Sequence, residues 1–120
     1  MRLFGTSKIN EKGSLEIGGV DTIELVNEHS TPLYVMDQTL IEETIDKMKD
    51  AFKSDRFETQ IAYAGKAFLT MAMVKIVDEK GLDLDVVSEG ELYTAYKAVF
   101  RLISVLMHVN IKTACELVMA

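Results

Sequence analysis

Residues 60–91 read QIAYAGKAFLTMAMVKIVDEKGLDLDVVSEGE and show the clearest alternation of strand-type and helix-type segments in the chain. Gln60 to Ala67 is a candidate strand. Leu69 to Lys80 predicts a helix that ends at Gly81. Leu84 to Ser88 then predicts a second strand.

The same alternation continues on both sides of this stretch. Upstream, Leu33 to Met36 is a short strand-type run, Asp37 is a candidate cap, and Gln38 to Lys53 has apolar residues at helical spacing. Downstream, Ser88 to Glu91 has the form of a capping box, which predicts a helix to about Ala98. Strands and helices in this order predict parallel β-α units, either in an open sheet or in a barrel.

The first 30 residues differ, because they hold most of the turn-forming residues. Gly5, Asn10, Lys12-Gly13 and Gly18-Gly19 separate short apolar pieces. This pattern predicts a small β-hairpin, followed by a short helical or irregular segment around Thr22 to Asn27.

Composition limits the possible functions of the chain. With 120 residues, 48% of them hydrophobic, one modest core is expected. Thirteen basic and 19 acidic residues give a net charge of −6, which disfavours binding to nucleic acid or to anionic membranes. A single cysteine, Cys115, cannot form an intramolecular disulfide, so a cytoplasmic setting is expected. No apolar stretch reaches the roughly 18 to 20 residues of a transmembrane helix.

Lys66 is the leading candidate for chemistry. Strand alternation predicts that Ala62, Ala64 and Lys66 share one face, where the small alanines leave room beside the lysine. The carboxyl ends of strands are also where α/β proteins place their sites. The competing interpretation is a strand-end lysine that extends into solvent.

Three motifs in order connect the chain to a known family. Tyr63 to Phe68 resembles the cofactor-lysine motif of the alanine racemase-like pyridoxal-phosphate enzymes. Leu84 to Leu92 resembles the second signature of their decarboxylase branch, and Thr31 to Asp37 resembles the strand that enters the barrel. Together they resemble the diaminopimelate decarboxylases more than the ornithine or arginine decarboxylases.

The resemblance implies an α/β fold with a partial pyridoxal-phosphate-binding β/α barrel of about three β-α units. The barrel part would comprise residues 31–120, and residues 1–30 would form a preceding β segment. It further implies that pyridoxal phosphate is held as an imine by Lys66, and that the reaction converts meso-diaminopimelate to L-lysine with release of carbon dioxide.

The resemblance also adds two residues to the site. It implies that Asp85 lies near the cofactor, with a solvated strand-end aspartate as the alternative. His108 is a cofactor-binding candidate, with a packed histidine as the alternative. No metal is expected, because Asp83 and Asp85 lack further ligands at suitable spacing.

After Ala98 the sequence departs from the family pattern. Val99 stands where the family has a helix-ending glycine, and Arg101 replaces a turn proline. Residues 91–120 contain neither glycine nor proline, so the C-terminal third could be one long helix in a swapped oligomer. Ile103 to Met107 is equally suited to a buried strand, and periodicity does not separate the two.

These departures also bear on what the chain does. We expect an N-terminal fragment that is inactive or altered by itself, and that forms a homo-oligomer through Val99 to Val118. The competing hypotheses are a non-catalytic self-associating fragment and a small pyridoxal-phosphate-binding module.

Overall fold

A computed structural model of the chain describes residues 3–108 and Val118. The chain divides into two compact units, Met1–Met48 and Lys49–Ala120. The fold is mixed α/β, with a small antiparallel sheet in the first unit and a parallel sheet in the second.

The first unit contains three short antiparallel strands and a helix: β1 (Lys8–Ile9), β2 (Leu15–Ile17), β3 (Val20–Asp21) and α1 (Thr22–His29). This confirms both the predicted hairpin and the helical option for the segment after it. Asp21 links the two, because its buried carboxylate accepts from the Ile23 amide at 2.8 Å and from the Asn10 side chain at 2.7 Å.

Helix α2 (Gln38–Ala51) begins after Asp37, as predicted, but ends two residues before Lys53. The Asp37 carboxylate caps it by accepting from the Leu40 amide at 3.0 Å, and it also accepts from the Thr6 hydroxyl. These hydrogen bonds hold the pKa of Asp37 below its ordinary value, and the bond from Thr6 has the largest effect.

The predicted strand at Leu33 to Met36 is wrong. Neither sheet in the described part of the chain includes this run, and Tyr34 is 99% exposed. Strand propensity mainly reflects packing on a pleated surface, so without a neighbouring strand the run stays irregular.

The second unit contains a three-stranded parallel sheet in the order β4-β5-β6, with two helices: β4 (Ala62–Ala64), α3 (Met71–Glu79), β5 (Asp83–Val86), α4 (Glu89–Lys97) and β6 (Val105–Met107). Short 3₁₀ turns at Gly65–Ala67 and Leu102–Ser104 follow β4 and precede β6. The predicted alternation of strand and helix is confirmed.

The core of this unit lies on one face of the central strand. Leu84 and Val86 on β5 are fully buried, as are Val74 and Val77 on α3. Period-2 alternation turns Asp83 and Asp85 to the opposite face, which explains their partial exposure.

The capping box at the start of α4 forms only in part. Ser88 accepts from the Glu91 amide at 3.3 Å, as predicted. The Glu91 carboxylate, however, accepts from the Val87 amide at 3.0 Å and not from that of Ser88.

The alternative of one long helix through the C-terminal third is wrong for residues 99–108. Helix α4 ends at Lys97, and Val99 has a left-handed backbone with φ +62°. The Phe100 amide then donates to the Ala95 carbonyl at 3.0 Å, and the Phe100 side chain is buried. This burial and the pairing of β6 with β5 turn the chain back. The strand interpretation is confirmed for Val105 to Met107 only, because Ile103 and Ser104 lie in the 3₁₀ turn. The predicted burial is wrong, since Ile103 is 96% exposed and Leu106 is 45% exposed. Cys115 and the remainder of the predicted interface, apart from Val118, lie outside the described residues.

None of the helices in residues 3–108 combines the length and the apolar character needed to cross a membrane. The same part of the chain contains no group of three or more histidine, cysteine or acidic side chains arranged to hold a metal ion.

Candidate functional site

Lys66 lies in the 3₁₀ turn Gly65–Ala67, directly after β4, and its side chain is exposed. The prediction that it continues the alternation of Ala62 and Ala64 is wrong, because the strand ends at Ala64 and the turn starts at Gly65. The predicted place at the carboxyl end of the strand is confirmed.

The turn that carries Lys66 is closely packed on its inner side. Gly65 is buried, and a Cβ atom built there would lie 3.1 Å from the Asp85 carbonyl oxygen and 3.2 Å from Oε2 of Glu91. The Asp85 carbonyl is backbone and cannot move easily. Glycine therefore lets the turn sit this close to β5 and the start of α4 without the shift of a few tenths of an ångström that a Cβ would require.

Tyr63 bridges the ends of the same turn. Its hydroxyl donates to the Phe68 carbonyl at 2.7 Å, so residues 64–67 lie between the two bonded partners. Partial burial raises the pKa of the Tyr63 phenol, which keeps it protonated and able to donate.

Asp85 and His108 form a direct pair at the neighbouring strand ends. Nδ1 of His108 lies 3.1 Å from Oδ1 of Asp85, and the His108 amide donates to the Val86 carbonyl at 2.9 Å. The His108 side chain is 78% exposed and that of Asp85 is 25% exposed. The packed-histidine alternative for His108 is therefore wrong.

The parallel sheet brings these residues to one edge. Lys66 follows β4, Asp85 lies near the end of β5 opposite Ala64, and His108 comes directly after β6. In a parallel sheet all three positions are at the carboxyl edge, where α/β proteins bind ligands. Asp85 and His108 touch each other, and Lys66 lies at the end of the strand next to them.

This set of groups fits pyridoxal phosphate. The cofactor carries an aldehyde, which requires an accessible primary amine, and Lys66 offers one on a turn bordered by alanines. The cofactor also carries a pyridine nitrogen and a hydroxyl, for which the Asp85 carboxylate and the His108 imidazole are suitable hydrogen-bonding partners.

A separate groove of about 520 Å³ lies at the opposite, amino edge of the sheet. Its lining includes Lys49, Asp83 and Arg101. Arg101 is already bonded to Asp78 at 2.7 Å, and Lys49 donates to the Lys80 carbonyl at 2.7 Å. These two hydrogen bonds hold the ends of neighbouring elements together. We therefore attribute a structural role to the groove.

Two contributors to the site were missed by sequence reasoning. Glu91 was interpreted as a helix cap only, although its carboxylate also packs against Gly65. Tyr63 was treated as part of a motif and given no contact of its own. Neither interaction has a sequence signal, because each is a side-chain contact that depends on the turn geometry.

Comparison with known proteins identifies the family of the chain. Residues 38–120 match the family described as pyridoxal-dependent decarboxylase, pyridoxal binding domain. The diaminopimelate decarboxylase of Bacillus methanolicus is 52% identical over all 120 residues, and that of Bacillus subtilis (strain 168) is 50% identical over the same length. The chain spans 28% and 27% of these two relatives.

A solved structure shows the same fold. The crystal structure of diaminopimelate decarboxylase from M. jannaschii, in co-complex with L-lysine, superposes with a TM-score of 0.87 and 35% sequence identity. The match covers 95% of this chain and 27% of that one. From the matched domain, the relatives and this fold, we conclude that the chain belongs to the pyridoxal-dependent decarboxylases.

Proposed function

We propose that this chain is the pyridoxal-phosphate-binding part of a decarboxylase that converts meso-diaminopimelate to L-lysine. The observation that carries the proposal is the exposed Lys66 amine at the carboxyl edge of the sheet, at the strand end beside the Asp85–His108 pair. Substrate identity is supported by the names of the relatives and by the L-lysine bound to the M. jannaschii protein.

Each residue has a distinct role in this proposal. Lys66 attaches the cofactor and, once released, is free to move a proton. Asp85 and His108, which contact each other at 3.1 Å, orient the cofactor ring through hydrogen bonds. The bound cofactor supplies the electron-accepting ring that stabilises the charge left when carbon dioxide departs.

The parallel β4-β5-β6 sheet is, in this proposal, the beginning of a β/α barrel. We assign residues 31–120 to that barrel and residues 1–30 to a separate β segment. Strands β4, β5 and β6 with the helices between them support this, because barrels are built from such repeated units. The enzyme would act in the cytoplasm as a homo-oligomer.

A titration with pyridoxal phosphate tests the proposal. The chain should develop the visible absorbance of a covalently held cofactor, and Lys66→Ala should abolish it. Lys75→Ala is the matched control, because Lys75 is an exposed lysine on α3, outside the site. Equal absorbance from wild type and Lys66→Ala would refute the role of Lys66.

An exposed apolar patch supports the proposed self-association. It comprises side chains on α4 and in the segment after it that are at least half exposed: Tyr93 51%, Tyr96 60%, Val99 84%, Leu102 52% and Ile103 96%. Large apolar side chains clustered this way are typical of protein–protein contact surfaces.

A further inference from the structure

Tyr63 occupies the middle of β4, opposite the fully buried Leu84 in the parallel register. Its backbone therefore belongs to the sheet whose central strand contributes to the core. The hydroxyl at the far end of the ring donates to the Phe68 carbonyl at 2.7 Å. This hydrogen bond therefore connects β4 to Phe68, the residue that follows the Lys66 turn.

The turn has few other side-chain restraints. Ala64, at its N-terminal end, provides no side-chain cap, and Phe68 leaves the turn in an extended conformation. Its inner side is held by the packing of Gly65 against Asp85 and Glu91. The Tyr63 hydroxyl restrains the other end.

Restraint of the turn matters because lysine is long and flexible. Its amine sits at the end of a four-carbon stem, so any freedom of the Lys66 backbone adds to the freedom of the amine. Attack on an aldehyde carbon requires the amine at a defined position, and loss of positioning slows such steps strongly. A hydrogen bond across the turn reduces the number of positions that the amine samples.

We propose that Tyr63 is a positioning residue for Lys66, acting through its hydrogen bond to the Phe68 carbonyl. The inference rests on the proposed function, because it concerns how readily Lys66 attaches pyridoxal phosphate. It assigns Tyr63 no contact with the cofactor.

The test uses Tyr63→Phe, which removes the hydroxyl and keeps the ring. The full chain is incubated with pyridoxal phosphate, reduced with borohydride, and mapped by peptide mass spectrometry. We expect attachment at Lys66 to slow about fivefold, on the order of the loss of one hydrogen bond. Attachment at Lys75 in the same sample serves as the internal reference and should not change.

Two further measurements separate positioning from general stability. Tyr96→Phe, which removes the same hydroxyl from an exposed ring on α4, should leave the Lys66 to Lys75 ratio unchanged. Hydrogen exchange without cofactor should show faster exchange of the amides of residues 65–68 in Tyr63→Phe, with the α3 amides as before.

The outcomes distinguish the two claims. A wild-type chain that shows no preference for Lys66 refutes the proposed function, and the inference falls with it. A clear Lys66 preference in the wild type that Tyr63→Phe retains in full overturns the inference alone. The inference is also overturned if Tyr63→Phe slows attachment at Lys66 and Lys75 equally, because that indicates a change in overall folding.

Discussion

Gly65 controls the conformation of the Lys66 turn most directly, because it has no side chain. Gly65→Ala would place a Cβ 3.1 Å from the Asp85 carbonyl and force the turn away from β5. We expect the free energy of unfolding to fall by about 1 to 2 kcal/mol, as is typical of overpacking in a tight site. Attachment of pyridoxal phosphate at Lys66 should also weaken, since the turn moves.

Urea denaturation followed by circular dichroism measures this change. Gly90→Ala is the matched control, because the nearest atom to a Cβ at Gly90 is Oγ of Ser88 at 4.0 Å and Gly90 lies in α4. That substitution should leave stability unchanged or raise it, since alanine favours helix. Equal effects at the two glycines would contradict the close packing of the turn.

Asp21 makes the first unit sensitive to acid. Its carboxyl accepts hydrogen bonds from the Ile23 amide and the Asn10 side chain, and these hold its pKa below the ordinary 3.8. The bond from Ile23 has the largest effect. Because the folded pKa is the lower one, the stabilisation is present above the unfolded pKa and is lost as pH falls through the folded value. We expect urea midpoints for α1 signals to drop as pH falls below about 4, the ordinary pKa of an aspartate, and through the lower folded pKa.

Asp21→Asn should flatten this acid dependence, because asparagine keeps an acceptor oxygen and does not titrate in this range. Adding Asp37→Asn should flatten it further, since the pKa of Asp37 is also lowered, by the Thr6 hydroxyl first. Nuclear magnetic resonance signals of the first unit, followed through urea at each pH, provide the measurement. An unchanged pH profile in the double variant would refute the assignment.

At the scale of single elements, the backbone conformation directly after α4 is the least expected feature, although α4 itself ends within one residue of the predicted Ala98. Val99 is a β-branched residue with φ +62°, a conformation that favours glycine. Val99→Gly should raise the free energy of unfolding by about 1 kcal/mol, because it removes backbone strain. Little packing is lost, since Val99 is 84% exposed.

The neighbouring Ala98 supplies the control for this prediction. Its φ of −78° is ordinary helical backbone, so Ala98→Gly should lower stability. Thermal denaturation of both variants gives the comparison. A Val99→Gly variant less stable than wild type would contradict the left-handed conformation at that position.

The elements predicted correctly from sequence are those determined by local pattern. The apolar spacing of α3, with Gly81 after it, and Ser88 before α4 each act within a few residues, so the sequence indicates them directly. The end of α4 depends on burial of Phe100 and on the pairing of β6, both of which involve distant residues. The run from Leu33 to Met36 shows the converse. Its residues have strand propensity, but the described residues supply no partner strand, so no strand forms.

The site divides in the same way. Lys66 was predicted because the carboxyl ends of strands can be located from the alternation of elements, whereas Asp85 and His108 were added by the resemblance to the decarboxylase family. The sequence could not predict the contact between Asp85 and His108 or the hydrogen bond from Tyr63 to Phe68. These contacts depend on strand register and on turn geometry.

For the molecule as a whole, the exposed apolar patch predicts self-association. Ile103→Lys places a charge at its most exposed residue and should weaken association about tenfold or more, because a buried lysine without a partner is unfavourable. Sedimentation equilibrium measures this. Gln60→Lys, which adds the same charge at an exposed position outside the patch, should behave as wild type. A wild-type monomer at high concentration would contradict the prediction.

The most direct test of the account as a whole is the site at which pyridoxal phosphate attaches. The chain is mixed with the cofactor, reduced with borohydride, digested, and mapped by mass spectrometry. We expect the modification to concentrate on Lys66, because this amine is exposed at the carboxyl edge, on the strand end beside the Asp85–His108 pair. Modification spread evenly over Lys66, Lys47, Lys75 and the other surface lysines would contradict it.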